Sequence, residues 1–262
     1  RNTPYPNYEI IFIDNASTDG SVELLKQLKK KGLVQKVIFN SANKGFAEAN
    51  NQGFRAASGT YLFMLNNDVR LTKNWLSNAV KALESRPEIA AVGSTLIGFD
   101  HKAKPTKSMR EKQTLCGAAM LIKKSALERV GLLDTKNFSP AYGEETDWCY
   151  RARNSGYRLF ELENSVIKHY GSGSTLKQLP KPEQYVMMNS HRLKAMLYNL
   201  SATEFLRHVP GLALIFLQSI KDGTIFYLLK SYWNNLRSLR AILRERKRKR
   251  SKAFALRKQL KL

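Results

Sequence analysis

Four clusters in this chain place chemically capable side chains at the ends of apolar runs. Asp14 closes the run over residues 9–13 and is followed by Asn15-Ala16-Ser17-Thr18-Asp19-Gly20-Ser21. A carboxylate at the end of a buried strand can accept an N–H from a heterocyclic base or stand near a cation. The same residue types also make an ordinary turn and helix cap. Asn66-Asn67-Asp68 follows a second apolar run, residues 60–65. The hard oxygens of Asp68 suit Mg2+ or Mn2+, ions that bridge the oxygens of a diphosphate and steady its charge as it leaves. Here too a plain turn is the alternative. Glu144-Glu145-Thr146-Asp147 puts three acids in four residues at a helix start, which the helix dipole partly explains. The other reading is a general base, because a carboxylate among like charges has a raised pKa. His169 ends an apolar stretch just before Gly171-Ser172-Gly173-Ser174. It could join Asp68 on one metal, or be a surface or satisfied core histidine.

The elements that must position these groups alternate. Short apolar runs at residues 9–13, 36–39, 60–65 and 89–93 read as strands, and residues 118–122 as another. Between and after them, residues 21–31, 47–57, 76–85, 125–130 and 146–154 read as helices. Residues 166–167 form a short strand, and residues 99–113 read as a polar, basic loop. This alternation predicts βαβ units and an α/β, Rossmann-like, mostly parallel sheet with helices on both faces. Ligands bind beyond the carboxyl ends of such strands, where Asp14 and Asn66 to Asp68 fall. After Pro180 and Pro182 the pattern turns helical to the end. The boundary therefore falls near 180, with a catalytic part over 1–180 and a helical, basic extension over 181–262.

The chain has 262 residues and a formal net charge of +23. From Leu236 to Leu262 there are twelve Lys/Arg and one acid, so +11 of that charge lies in the last 27 residues. Such a run is either a solvated tail or a contact for a phosphate-rich partner. Cys116 and Cys149 are read as reduced thiols, without a disulfide framework. No apolar run is long enough to span a bilayer.

The order of the motifs adds what none gives alone. Asp14 to Ser21, then Asn43-Lys44-Gly45-Phe46-Ala47 with Ala49, Asn50, Asn51 and Gly53, then Leu65-Asn66-Asn67-Asp68, then Gly143-Glu144-Glu145 with Asp147, Cys149 and Arg151, then His169, resemble family 2 inverting glycosyltransferases of the GT-A fold. The likeness runs over about residues 8–175. It is greatest to the bacterial branch that builds surface polysaccharides, with many rhamnosyltransferase-like members. The resemblance implies a nucleotide-sugar donor held by Asp14, Asn43, Lys44, Gly45, Asn66 and Asp68, with Asp14 on the base. It implies Mg2+ or Mn2+ on Asp68 and His169. Asn66 stands where the family usually has the first Asp of Asp-x-Asp, so it brings a hydrogen bond and no charge. Glu145 matches the base, one methylene longer than the usual Asp, with Asp147 as runner-up. Members open with a further strand before the Asp14 motif, so the chain is expected to lack its first strand and to be weakly active or inactive as it stands.

The apolar residues of 205–217 and 225–233 are read as packing on the catalytic part or on a second copy, or as an amphipathic element in a membrane interface. In the second reading the basic tail lies on anionic lipid. The expected partners are then the donor, a glycan or lipid-linked acceptor and an anionic membrane surface, without nucleic acid. The location is cytoplasmic, peripheral on the inner face of the cell membrane. Two rivals stay open: a non-catalytic nucleotide-sugar-binding relative, and a basic nucleic-acid-binding protein.

Overall fold

A computed structural model describes residues 3–101, 106, 108–170 and 181–260. Strand β1 (Ile11–Asp14) passes through helix α1 (Ser21–Lys30) to β2 (Lys36–Phe39). The two strands pair in parallel, as a helical crossover requires. Helix α2 (Gly45–Ala56) leads to β3 (Tyr61–Leu65), β4 (Val69–Leu71), α3 (Trp75–Glu84) and β5 (Ile89–Ile97). A short β6 (Met109–Glu111), β7 (Ala119–Lys123), α4 (Lys124–Val130), α5 (Glu144–Asn154) and β8 (Arg158–His169) complete the α/β part.

The mostly parallel sheet expected from the sequence is corrected to a mixed one. β1 and β2 form a sheet of their own, and the other six strands run in the order β3-β7-β5-β8-β4, with β6 beside β8. Among the described residues only β5 and β8 pair in parallel within that sheet; β7 is antiparallel to both its neighbours. Among the described residues no helix stands between β5 and β7, and a strand that returns without a crossover helix runs antiparallel. Helix α2 spans the gap between the sheets. Its Gly53 faces Ile13 of β1, while its Ala47 and Phe54 share a core with Leu62 and Met64 of β3.

Strand β8 is far longer than the two residues expected. Its charged residues Arg158, Glu161 and Glu163 mask the alternation, because they face outward to Glu88, Glu111, Lys112 and Arg110. A register shift opposite Ser94 and Thr95 turns Ser165 inward, where its hydroxyl meets Ser94 Oγ at 2.8 Å and donates to the Trp75 carbonyl at 2.8 Å. Likewise β6 lies inside the expected 99–113 loop. The glycine–serine stretch at 171–174 lies outside the described residues.

The C-terminal part is helical, as expected. It comprises α6 (Lys181–Asn199), α7 (Ala202–Lys221), α8 (Ile225–Arg237) and α9 (Leu239–Leu260). α7 opens on a capping box: Ser201 Oγ accepts the Glu204 N–H while the Glu204 carboxylate accepts the Ser201 N–H. α6 and α9 pack against α5. The basic run is therefore a docked helix, with Ile242, Lys249 and Ala253 buried and Leu256 and Leu260 against the main core.

Candidate active site

Asp14 ends β1 nearly buried, and its Oδ1 accepts the Ser17 N–H at 3.2 Å, which folds the following turn back over the strand end. Beside it, Asn15 knits β1 to the Asn43 motif. Its amide donates to Asn43 Oδ1 at 2.8 Å, and its carbonyl oxygen accepts the Lys44 N–H at 3.0 Å and the Asn40 amide at 3.1 Å. Asn40 and Gln52 exchange two further amide bonds. Asn43 Oδ1 also accepts the Gly45 N–H. The structure thus brings Asp14, Asn43, Lys44 and Gly45 together at the mouth of β1. Asn15 and Asn40 hold them there, a role that residue type alone did not reveal.

Gly45 has φ +81, and a Cβ on it would lie 2.7 Å from the Pro140 carbonyl oxygen. That oxygen accepts the Phe46 N–H at 2.7 Å. The segment before α5 therefore packs directly on the Asn43 to Gly45 turn, an approach only a glycine allows.

Asp68 and His169 are brought together by the β4–β8 pairing. Val69 lies opposite His169, and the Asp68 carbonyl accepts the Tyr170 N–H at 3.0 Å. His169 Nε2 stands 3.2 Å from Asp68 Oδ1 without the alignment of a hydrogen bond. Among the described residues both Asp68 carboxylate oxygens are buried with no hydrogen-bond donor. A buried carboxylate in that state is costly unless a cation completes it. One carboxylate and one imidazole form a donor set that fits Mn2+ or Mg2+, with remaining positions for phosphate oxygens or water. Among the described residues no cluster of three or more His, Cys, Asp or Glu could hold a metal. Asn66 sits two residues before, its N–H donating to the Ala118 carbonyl at 3.0 Å.

Glu144 and Glu145 start α5 behind Gly143, whose φ of +86 turns the chain into the helix. Burial, then the neighbouring Glu145 charge, pushes the Glu144 carboxyl well above its usual range. Burial also raises Glu145. The Glu145 side chain lies against Gly117: a Cβ there would meet its Cγ at 3.3 Å. The next residue, Cys116, has its thiol pKa raised by desolvation and then by the charges of Glu145 and Asp68. The turn at 116–118 touches the candidate base at Gly117, and through its Ala118 carbonyl it reaches Asn66, two residues before the candidate metal ligand. The runner-up base, Asp147, points elsewhere. It is fully buried and bound to Arg151, Lys249 and Asn199. Those three donors occupy its carboxylate oxygens.

The chain matches the model of Glycosyl transferase family 2 over residues 1–142. It belongs to that family. It is 35% identical over 95 residues to an uncharacterized glycosyltransferase of Haemophilus influenzae, a match that covers 36% of this chain and 29% of that protein. It is 22% identical over 206 residues to a dolichyl N-acetyl-alpha-D-glucosaminyl phosphate 3-beta-D-2,3-diacetamido-2,3-dideoxy-beta-D-glucuronosyltransferase of Methanococcus voltae, over 70% of this chain and 64% of that one. The chain thus spans less than two thirds of the length of these relatives. Its fold is similar to that of the mannosyltransferase PcManGT of Pyrobaculum calidifontis, solved in complex with GDP-Man and Mn2+. The TM-score is 0.60 at 17% identity, over 97% of this chain and 78% of that one. The GT-A fold expected from the motifs is the fold observed.

Proposed function

We propose that this glycosyltransferase moves a hexosyl unit from a nucleotide-sugar donor to a hydroxyl of a glycan or lipid-linked acceptor, with inversion, in building a surface polysaccharide. Asp14, Asn43, Lys44 and Gly45 hold the nucleotide, and Asn66 hydrogen-bonds a donor hydroxyl. Asp68 and His169 hold Mn2+ or Mg2+, which when bound neutralises the departing diphosphate. Glu145 takes the proton of the acceptor hydroxyl, whose oxygen then attacks the anomeric carbon from the face opposite the nucleotide. A pKa raised by burial suits Glu145 to that transfer, since a base works best with a pKa near the working pH.

The observation that supports this reading is the 116–118 turn, which packs on Glu145 at Gly117 and bonds Asn66, two residues before Asp68, through the Ala118 carbonyl. Incubation with nucleotide-sugars and Mn2+, followed by NMR of the product's anomeric proton, tests it. Inversion is expected, and retained configuration would refute the single displacement. A nucleotide that binds without turnover in any acceptor mixture favours the non-catalytic relative instead. The rhamnosyl-type branch is tested by including a deoxyhexose donor.

A lipid-linked acceptor and a peripheral place on the inner face of the membrane are part of the proposal. The Methanococcus voltae relative is named for a dolichyl phosphate-linked sugar, which supports the acceptor class. Leu206, Val209, Leu214, Leu217 and Ile220 of α7 are exposed, as are Phe226, Leu229, Trp233 and Leu236 of α8. Arg237, Arg240 and Arg244 follow closely. Apolar faces rimmed by cations suit an anionic lipid surface. Among the described residues no helix is long and apolar enough to cross a membrane. Vesicles of anionic lipid should bind the protein at a salt concentration where zwitterionic vesicles and duplex DNA do not. Equal binding to DNA would favour the nucleic-acid reading.

β1 pairs only with β2, and β3 only with β7, among the described residues. A strand seated between them would join the two sheets under α2. A chain carrying such a strand should transfer faster than this one; equal rates would discard the idea.

A further inference from the structure

Lys249 sits in the middle of α9, yet its side chain is only 4% exposed. Its ammonium lies 2.9 Å from Asp134 Oδ2 and 2.7 Å from Asp147 Oδ1. The ring faces of Tyr198 and Phe138 close over it at 4.8 and 5.6 Å. These two carboxylates mark the two ends of one stretch of chain, residues 134–147. At the first end Asp134 Oδ1 also accepts the Lys136 and Asn137 N–H groups. At the second, Asp147 also binds Arg151 Nε at 2.8 Å and the Asn199 amide at 2.8 Å.

The residues from Pro140 onward bear on the proposed site. Pro140 packs on the proposed nucleotide-binding turn through its contact with Gly45 and the Phe46 N–H. His191 reaches the Ala141 and Tyr142 carbonyls at 2.9 and 3.1 Å. Gly143, Glu144 and Glu145 follow. Two cations, Lys249 and Arg151, balance two carboxylates. Arg151 is fixed separately to the Val130 and Leu132 carbonyls. Lys249 is the one side-chain cation within ion-pair distance of Asp134 among the described residues. Burial alone would raise the Asp134 carboxyl, but the Lys249 charge and hydrogen bond bring it down to about 2.

We propose that Lys249 is a positioning residue: from α9 it staples both ends of the 134–147 segment, and so sets Glu145 and Pro140 relative to the donor. This rests on Glu145 being the base. The basic C-terminal helix is then part of the catalytic apparatus as well as a surface cation. An unpaired buried carboxylate left by removing Lys249 is strongly destabilising where it stands, so the segment relaxes toward water. A displacement of about 1 Å at a reacting group can cost about 10²-fold.

The test uses the full chain with Lys249→Met and Lys249→Arg, read by amide hydrogen exchange and by transfer kinetics. Lys249→Met should speed exchange within residues 134–147 while β5 and β7 stay protected, lower kcat about tenfold or more, and shift the pH–rate profile. Lys249→Arg, which keeps the charge, should recover most of the rate and the protection. If Lys249→Met does not fold, Lys249→Met with Asp134→Asn removes the orphaned charge and should show the same loss. Unchanged exchange at 134–147 in a folded variant, or exchange loosened equally throughout, would overturn the proposal. A wild-type chain that transfers nothing would instead defeat the enzymatic reading, and the exchange data would still decide the staple.

Discussion

Gly45→Ala tests how the two halves of the site are joined. Gly45 lies at φ +81, and the added methyl would stand 2.7 Å from the Pro140 carbonyl oxygen and 3.1 Å from its Cα. An alanine in the left-handed region costs roughly 1–2 kcal/mol. The obstacle is backbone, so it cannot rotate away. Pushing Pro140 back also weakens the Phe46 N–H bond at 2.7 Å, about 1 kcal/mol, and overpacking adds roughly another 1–3 kcal/mol. The sum is about 3–6 kcal/mol. At about 2–4 °C per kcal/mol for a chain of this size, Tm should fall by roughly 6–24 °C. Gly32→Ala is the control, because Gly32 has φ +69 and a methyl added there would meet nothing within 4 Å. It should lose only the backbone cost, roughly 1–2 kcal/mol. Thermal unfolding of both variants, with and without nucleotide and Mn2+, reads the difference. Equal losses, or a Gly45→Ala protein that keeps wild-type nucleotide affinity, would refute the claim that Pro140 packs on the nucleotide-binding turn.

Asp68→Asn should leave the metal-free protein as stable as wild type or more so, because it removes a buried charge that no donor satisfies; calorimetry should show Mn2+-dependent nucleotide binding lost. Glu145→Gln should cut turnover by about 10²–10⁴-fold while nucleotide binding persists, since only the proton acceptor is gone; measurable loss of nucleotide binding would assign it another role. Glu144 has a folded pKa raised by burial and by Glu145. A raised carboxyl loses stability as pH climbs from its unfolded value through its folded one. Glu144→Gln should therefore raise Tm more at pH 8 than at pH 4, and an equal gain at both would contradict that environment.

Much of this was legible because it is local. β2 at residues 36–39 and the helices after Ser21 and Gly143 follow from apolar runs bounded by turn residues. The positions of Asp14, Asp68, Glu145 and His169 at element ends could be read the same way. The direction of β7 could not, since strand pairing depends on partners far apart in sequence. β8 hid behind its outward charges. The ion pair of Asp147 with Lys249 could not be read either, because Lys249 lies 102 positions away in a run that reads as a solvated tail or a contact for a phosphate-rich partner. Asn40 shows no chemistry by type, and its role comes from a partner on β1.

The central claim is a metal-dependent donor site, and calorimetric titration tests it most directly. UDP, GDP, dTDP and CMP would each be added to wild type and to Asp68→Ala, with and without Mn2+. The account predicts that one of them binds wild type only when Mn2+ is present, and that Asp68→Ala abolishes that binding. Absence of binding by all four, or binding that ignores both Mn2+ and the substitution, would contradict it.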